Sequence, residues 1–521
     1  MSKKTFFLLT IIIVFGAFLR FYGYNENLYI THESFYLSTD IAMAFLIADR
    51  ILNLGHLLLV GPTTSLYQVN ILAPTYYYII TILFAILKSE SAVTLIFTFI
   101  GIASIFLIFL LGRLLFGIRS GLIASFLYAL SFTMVAYSRH IWEPHLVPFF
   151  VLVSLYLIVL ADRKNNVILL FLALICYFIS LMYISAYLLL PAFLYLFYNQ
   201  QRKLNNSPVK SIFRSIFSFS FLFLILYLPV FIYEIRNNFP SLQYLINVLM
   251  GDTGYFSYDF SNYFTTISTN FMLLVKSTFG TLNFYTFLYF TSLLAVFLPL
   301  LIKIVLSDRN LLTLYVFFTA ALALSGFYQQ NLEAHRLAAL YPIFFLMISR
   351  ILDRLFFHKK SNYQIVSLLL GVILILHFLS INSSIYINNI VLKEKSFHKN
   401  LSKNPFSVAR YLLSSAGNDS FSFYTITPRS NTNYYSTLYY YALEKLTNKK
   451  FASLNYSGNW IEDQINWRSK WIYLICQDFD FDDKNSDEKC LGYFSNRYRL
   501  DKPEVVKWDG SIMIYKFRSP Y

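Results

Sequence analysis

The chain has 521 residues, 57% of them apolar and only 13% charged, and its mean hydropathy is +0.55. Soluble domains hold about 45–50% apolar and 25% charged residues, so a single soluble globule is excluded. The formal charge of +15 does not point to nucleic acid, because Lys and Arg sit in short clusters between apolar runs, as cytoplasmic loops do.

The first apolar run, about residues 5 to 22, follows Lys3 and Lys4 and has no small-residue cleavage site, so it reads as a retained spanning helix with a cytoplasmic N-terminus. Asn25 to Gln68 then form a long, mostly polar outer loop. Within it Ile41, Phe45, Leu46, Ile51, Leu54 and Leu58 recur at roughly helical spacing, which predicts a helix lying in the interface. The apolar run Tyr76–Leu87 falls short of the roughly 17 residues a span needs, so residues 73 to 88 are expected to be a second interfacial helix. The GPTTS at 61 to 65 has too few glycines for a phosphate loop and reads as a turn between them.

Uncharged stretches follow at Ser91–Gly112, Ser120–Ser138, Pro144–Ala161 and Val167–Tyr198, each long enough to cross about 30 Å of hydrocarbon. The last would be about 48 Å long as one helix, so it is expected to break into a hairpin near Ser185. With residues 73 to 88 kept outside, the cytoplasmic turns carry Arg113 and Arg119, Arg163 and Lys164, Arg202, Lys203, Lys210 and Arg214, Lys303 and Arg309, then Arg354, Lys359 and Lys360. One extra crossing would invert all of them, against the positive-inside rule.

The expected fold is an α-helical polytopic membrane protein of about eleven spanning helices, ending near residue 382. Residues 1–385 are the transmembrane module. Residues 386–521 turn polar, with strand-length runs FSFYTI, WIYLIC and IMIYKF and helical stretches SVARYLLSS and TLYYYALEKL, which predict a small extracytoplasmic α/β domain. There Cys476 and Cys490 either pair, in an oxidising compartment, or stay as two thiols. The expected location is the plasma membrane, multi-pass, with the C-terminal domain outside.

Charge beside a bilayer is costly and is retained mostly for function. Four groups of ionisable residues meet on the predicted outer face: Thr31-His32-Glu33, the SRHIWEPH turn with Arg139, His140, Glu143 and His145, the YEIR ending at Arg236, and EAHR with His335 and Arg336. Carboxylates beside Arg and His suit a reaction in which a lipid-linked phosphate leaves and a hydroxyl attacks. A carboxylate takes the acceptor proton and Arg neutralises the departing phosphate. Each residue also has a structural reading, with Glu33 a solvated loop acid, Arg139 and Arg336 snorkelling anchors, and the histidines satisfied hydrogen-bonding groups. His32, Glu33, Glu143 and His145 are the set from which a divalent metal site would be built, but no short ligand motif supports one, and no cofactor is expected. Tyr and Phe are abundant, and interfacial belts account for them better than sugar stacking does.

A long outer loop with an acid near its start, the APTYYY opening of an interfacial helix, the GRLLFGIRSG turn, the SRHIWEP turn and an LPxxxYExRNxFP stretch resemble the polytopic glycosyltransferases of family 39. These have the GT-C superfold and include protein O-mannosyltransferases and lipid A aminoarabinose transferases. The resemblance spans about residues 5 to 356. It implies an inverting transferase that moves a sugar from a polyprenyl-phosphate donor to an acceptor hydroxyl on a glycan, lipid or protein, at the extracytoplasmic face. The family's first-loop acid maps to Glu33, as catalytic base. The acid of the third-helix turn maps to Glu143, and the late pair to His335 and Arg336. With His32, Arg139, His145 and Arg236 these are the candidate donor-binding residues. His32 stands where the family usually has Asp, which keeps a second reading in view, a catalytically inactive relative serving as a binding or assembly subunit. A third is a transporter of lipid-linked glycans, which would place charge at the bilayer midplane rather than at one rim.

Overall fold

The computed structural model describes residues 2–21, 39–55, 57–61, 72–205, 207–249, 260–279, 302–327, 334–356, scattered positions between 368 and 383, and 405–426, 436–448, 469–477, 490, 504–509 and 512–518. His32, Glu33, Glu333, most of the GPTTS turn and much of the expected last span lie outside the described residues. The chain divides into two compact units. The first holds residues 1–24, 59–79 and 92–391, and the second holds 25–58, 80–91 and 392–521.

The first unit is a multi-pass helical membrane body. Among the described residues, four helices are long and apolar enough to span: α1 (Lys3–Phe21), α4 (Glu90–Phe116), α7 (Glu143–Lys164) and α10 (Pro208–Arg236). Shorter apolar helices are α3 (Thr75–Leu87), α5 (Ile118–Leu130), α8 (Val167–Ser180) and α13 (Arg309–Ser325). α3 is 13 residues, the short helix that the run from Tyr76 predicts. Lys88 at φ 52° separates it from α4, a left-handed backbone that ends helical geometry.

Two expected spans are discontinuous. The stretch 120–138 divides into α5 and α6 (Phe132–Tyr137), because Ser131 adopts φ −61°, ψ 121°. The run from Val167 breaks after α8 and continues as a 3-10 helix, Ile184–Leu189, and then α9 (Leu190–Asn205), close to the predicted position. Further helices of this unit among the described residues include α11 (Pro240–Leu249), α12 (Phe260–Phe279), a 3-10 helix Ala334–Leu340 and α14 (Tyr341–Phe356).

One end of this body is closed by charge pairs. Asp308 caps α13 by accepting the Leu311 N–H at 3.2 Å, and receives Arg350 at 2.7 Å. Arg350 also reaches Asp353 at 2.9 Å, and Asp353 accepts the Ser120 hydroxyl at 2.8 Å. Asn310 donates to the Leu115 carbonyl at 2.9 Å. The start of α5, the end of α4, the start of α13 and the end of α14 therefore meet. α4 and α5 pack so closely that a Cβ on Gly121 would lie 2.7 Å from the Phe109 carbonyl oxygen. Tyr341 opens α14 twelve residues before Asp353, about 18 Å away along the helix. It faces the site described below.

The second unit is α/β. Its sheet has strand order β1-β2-β4-β3, with β1 (Phe421–Ile426) parallel to β2 (Trp471–Gln477) and β4 (Ile512–Arg518) antiparallel to both β2 and β3 (Glu504–Asp509). Helices α15 (Pro405–Ala416) and α16 (Ser436–Thr447) pack together, and α16 lies on the crossover between β1 and β2. Cys476, at the end of β2, is disulfide-bonded to Cys490. The helix expected in the first outer loop forms as α2 (Thr39–Leu54) and packs against α16. Its apolar face, with Ile41, Phe45, Leu46 and Ile47, is buried.

Candidate active site

The site is built where helices end. α6 stops at Tyr137, and Ser138–Ile141 form a tight turn before α7 begins at Glu143. Pro144 in the first turn of α7 needs no N–H donor there. Glu143 places a carboxylate at the positive end of the α7 dipole and is 7% exposed, as is Arg139.

Arg20, in the last turn of α1, holds this turn in place. Its guanidinium is fully buried and donates to Ser138 Oγ at 3.0 Å, Gly16 O at 2.9 Å and Ala129 O at 3.1 Å. The Ala129 carbonyl belongs to the last turn of α5, where the break at Ser131 removes intrahelical donors. A cation at that C-terminus is favourable. Thr98 on α4 donates to the Ser138 carbonyl at 3.0 Å. α4 comes so near that a Cβ on Gly101 would sit 2.0 Å from Ser138 Oγ, so only glycine leaves the turn its place.

Around Arg139 and Glu143 lies a cluster of rings. The His145 Nδ1–H donates to the His140 carbonyl at 3.0 Å, which leaves Nε2 as the acceptor of the neutral ring. His145 stacks on Tyr137 with centroids 4.3 Å apart, and Trp142 lies 5.4 Å from it. Trp142 also meets His335 at 4.4 Å, and Tyr183, from the turn after α8, is 5.9 Å from His335. Tyr341 closes the other side of Tyr137 edge-on at 6.1 Å, and hydrogen-bonds Ser277 of α12 at 2.6 Å. The turn 138–142, the turn at 183 and the 3-10 segment at 334–340 thus converge on one site, and α12 reaches it through Ser277. Tyr187 joins Tyr227 of α10 by a phenol–phenol hydrogen bond, beside Val60 and Ala73.

Burial, with Arg139 beside it, lowers His140 to about 4, and burial with Arg336 beside it lowers His335 to about 4. Both imidazoles are neutral at pH 7, so Arg139 and Arg336 carry positive charge next to neutral donors and acceptors. That arrangement suits an anion with a polar, ring-shaped neighbour. Among the described residues no group of three His, Cys, Asp or Glu side chains is placed to hold a metal ion.

Of the residues picked from sequence, the structure gathers Arg139, Glu143, His145, His335 and Arg336 at this end of the body. Arg236 ends α10 with an exposed side chain, while the buried carboxylate two residues before it, Glu234, accepts the Ser241 N–H at 3.1 Å. His32 and Glu33 lie outside the described residues. Arg20, Trp142, Tyr183 and Tyr341 escape sequence reading. For Arg20 a signal exists, a lone cation one turn inside the end of a spanning helix.

The described helices make a multi-pass membrane protein whose fold is of the GT-C type. The crystal structure of ArnT from Cupriavidus metallidurans bound to undecaprenyl phosphate superposes over 99% of this chain and 98% of its own, with a TM-score of 0.57 and 11% identity. Residues 72–233 match the family model of dolichyl-phosphate-mannose-protein mannosyltransferases, so the chain is glycosyltransferase-like over α3 to α10. The oligosaccharyltransferase of Archaeoglobus fulgidus in its apo form matches at 14% identity and a TM-score of 0.48, over 84% of this chain. The chain spans 64% of that protein's length. No curated protein matches the chain at a significant level.

Proposed function

We propose that the chain is an inverting glycosyltransferase that takes a sugar from a polyprenyl-phosphate donor and gives it to an acceptor hydroxyl at the extracytoplasmic membrane face, with no metal or cofactor required. The observation that carries this is the pairing of Arg139 and Arg336 with neutral, half-buried histidines and stacked aromatics at one end of the helical body. The family match and the fold of ArnT, which was solved with undecaprenyl phosphate bound, support the choice of donor.

The acceptor oxygen attacks the anomeric carbon from the face opposite the phosphate. The new C–O bond forms as the bond from carbon to phosphate oxygen breaks. Glu33 takes the acceptor's proton, and the lipid phosphate leaves with its full negative charge. Arg139 and Arg336 stabilise that charge as it develops, worth several kcal/mol in a site closed to water. Trp142, Tyr137 and His145 shape the space beside the phosphate.

Membranes carrying the wild type or Glu33→Gln are supplied with radiolabelled sugars on polyprenyl phosphate. Transfer of label by the wild type and a fall of at least 100-fold in Glu33→Gln are expected. Consumption of no donor by either protein would overturn the transferase reading, and full activity in Glu33→Gln would remove that residue as base.

A further inference from the structure

The second unit contains a cavity that the reading above does not use. It has a volume of about 260 Å³ and is lined wholly by residues of the second unit, from α2, from Phe84 and Glu90 in its segment 80–91, and from α16 and Asn448. At about 30 Å³ per water in the liquid, it has room for roughly nine waters, and so for a small organic molecule.

Each carboxylate of its polar lining, Asp49, Glu90 and Glu444, is paired with a cation before any ligand arrives, by Lys445 of the lining or by Arg50 from outside it. Arg50, 3% exposed, pairs with Asp49 at 3.0 Å and with Glu444 at 2.5 Å. Lys445 pairs with Glu90 and lies over the Phe84 and Tyr441 rings at 5.9 and 5.6 Å. Each of the three carboxylates already faces a cation. A multivalent metal would have to displace those cations, and a phosphate would meet three negative groups at close range. Two side-chain amides join them: Asn53, whose Nδ2 donates to Asp49 Oδ1 at 2.6 Å and which keeps its carbonyl oxygen as an acceptor, and Asn448, which carries both a donor and an acceptor. The carboxylates keep lone pairs for hydroxyl donors. Phe84 supplies an apolar wall of the same cavity, while Tyr441, 2% exposed, lies beneath Lys445.

Acceptors and amides around the rim with an aromatic wall alongside match a neutral ring that carries hydroxyls on its edge and C–H groups on its faces. We propose that this cavity is a saccharide-binding site, taking a neutral sugar of one or two rings and using residues distinct from those that meet the donor phosphate. It does no chemistry. Its ion pairs fix the side chains in advance, so that few rotamers are lost on binding.

The test uses the full chain in lipid nanodiscs free of glycoside detergent, with saturation-transfer NMR on a panel of methyl hexosides, methyl N-acetylhexosaminides and simple disaccharides. Spermidine serves as the charged control. At least one neutral glycoside is expected to show saturation transfer with the wild type. Asn53→Trp, at an exposed position on the cavity mouth, should weaken it at least tenfold by filling space. Asp49→Asn, which keeps shape and removes charge, should weaken it several-fold. His335→Ala, in the other unit, should leave the signal intact. The inference is overturned if no glycoside binds, if Asn53→Trp binds like the wild type, or if spermidine alone binds. Loss of the signal in His335→Ala would assign the sugar to the donor site instead. Failure of donor turnover in the transfer assay leaves these readouts unaffected, so the two proposals fail separately.

Discussion

Replacing Arg20 by leucine removes a guanidinium that donates to Ser138 Oγ, Gly16 O and Ala129 O from within a fully buried setting. The three losses are unequal. Ser138 Oγ keeps its own bond to the Met134 carbonyl at 2.7 Å, and Gly16 lies inside α1, where helical donors remain. Ala129, in the last turn before the Ser131 break, depends most on the charge. Polar contacts between membrane helices are worth about 0.6–1.7 kcal/mol each, so the two that leave α1, to Ser138 and Ala129, together give about 1–3 kcal/mol. The second effect is positional. Without the clamp the Ser138–Arg139 turn shifts, and a displacement of about 1 Å in a positioning group costs on the order of 100-fold in rate. Thermal unfolding in nanodiscs should drop by several degrees, and donor turnover should fall about 100-fold with little change in KM. Arg20→Lys should recover part of the stability but not the rate, because an ammonium lacks the planar fork that reaches α5 and Ser138 together. An Arg20→Leu protein with the unfolding temperature and turnover of the wild type would refute this account.

Two further outcomes follow from single features. His140 and His335 are held near 4, below the ordinary value of about 6.5. Between those values the unfolded chain binds more protons than the folded one, so stability is complete above about pH 6.5 and is lost as pH falls toward 4. Unfolding temperature measured from pH 8 to 4 should show this, and His140→Asn with His335→Asn should flatten the slope. The Cys476–Cys490 bridge closes a loop of sequence separation 14, worth about 3 kcal/mol. Cys490→Ser should lower the unfolding of the second unit by that order in a denaturant titration, and reduction of the wild type should reproduce it.

The membrane architecture is legible because apolar length and basic turns report directly on a hydrocarbon slab, so the broken run after Val167 and the short α3 are readable from the chain alone. The association of SRHIWEPH with EAHR is readable too, since both motifs follow helices of the predicted parity. Periodicity does not say what an apolar face will meet. α2 has the pattern of a helix on a membrane surface, yet Ile41, Phe45 and Ile47 are buried in the second unit, where α2 packs on α16. Long-range partners leave no local trace either. Nothing near Arg50 announces Glu444, which is 394 positions away, and nothing near Arg20 announces Ser138, which is 118 away. Trp142, Tyr183 and Tyr341 are hidden for a different reason. In a chain with 42 Tyr and 54 Phe, a ring at a site looks like any other.

The break at Ser131 also sets an order of assembly. The N–H of Phe132, which opens α6, donates to the side chain of Asn382 at 2.7 Å, from 250 positions further along the chain. At about 5–20 residues per second, a ribosome needs roughly 12–50 s to make the intervening segment. During that interval α6 sits in the bilayer with one of its first amides awaiting its acceptor, although Arg20 has been available to α5 since the first helix emerged. Biogenesis therefore fixes the α5 side of the turn early and the α6 side last, and the candidate site is complete only when Asn382 has been made.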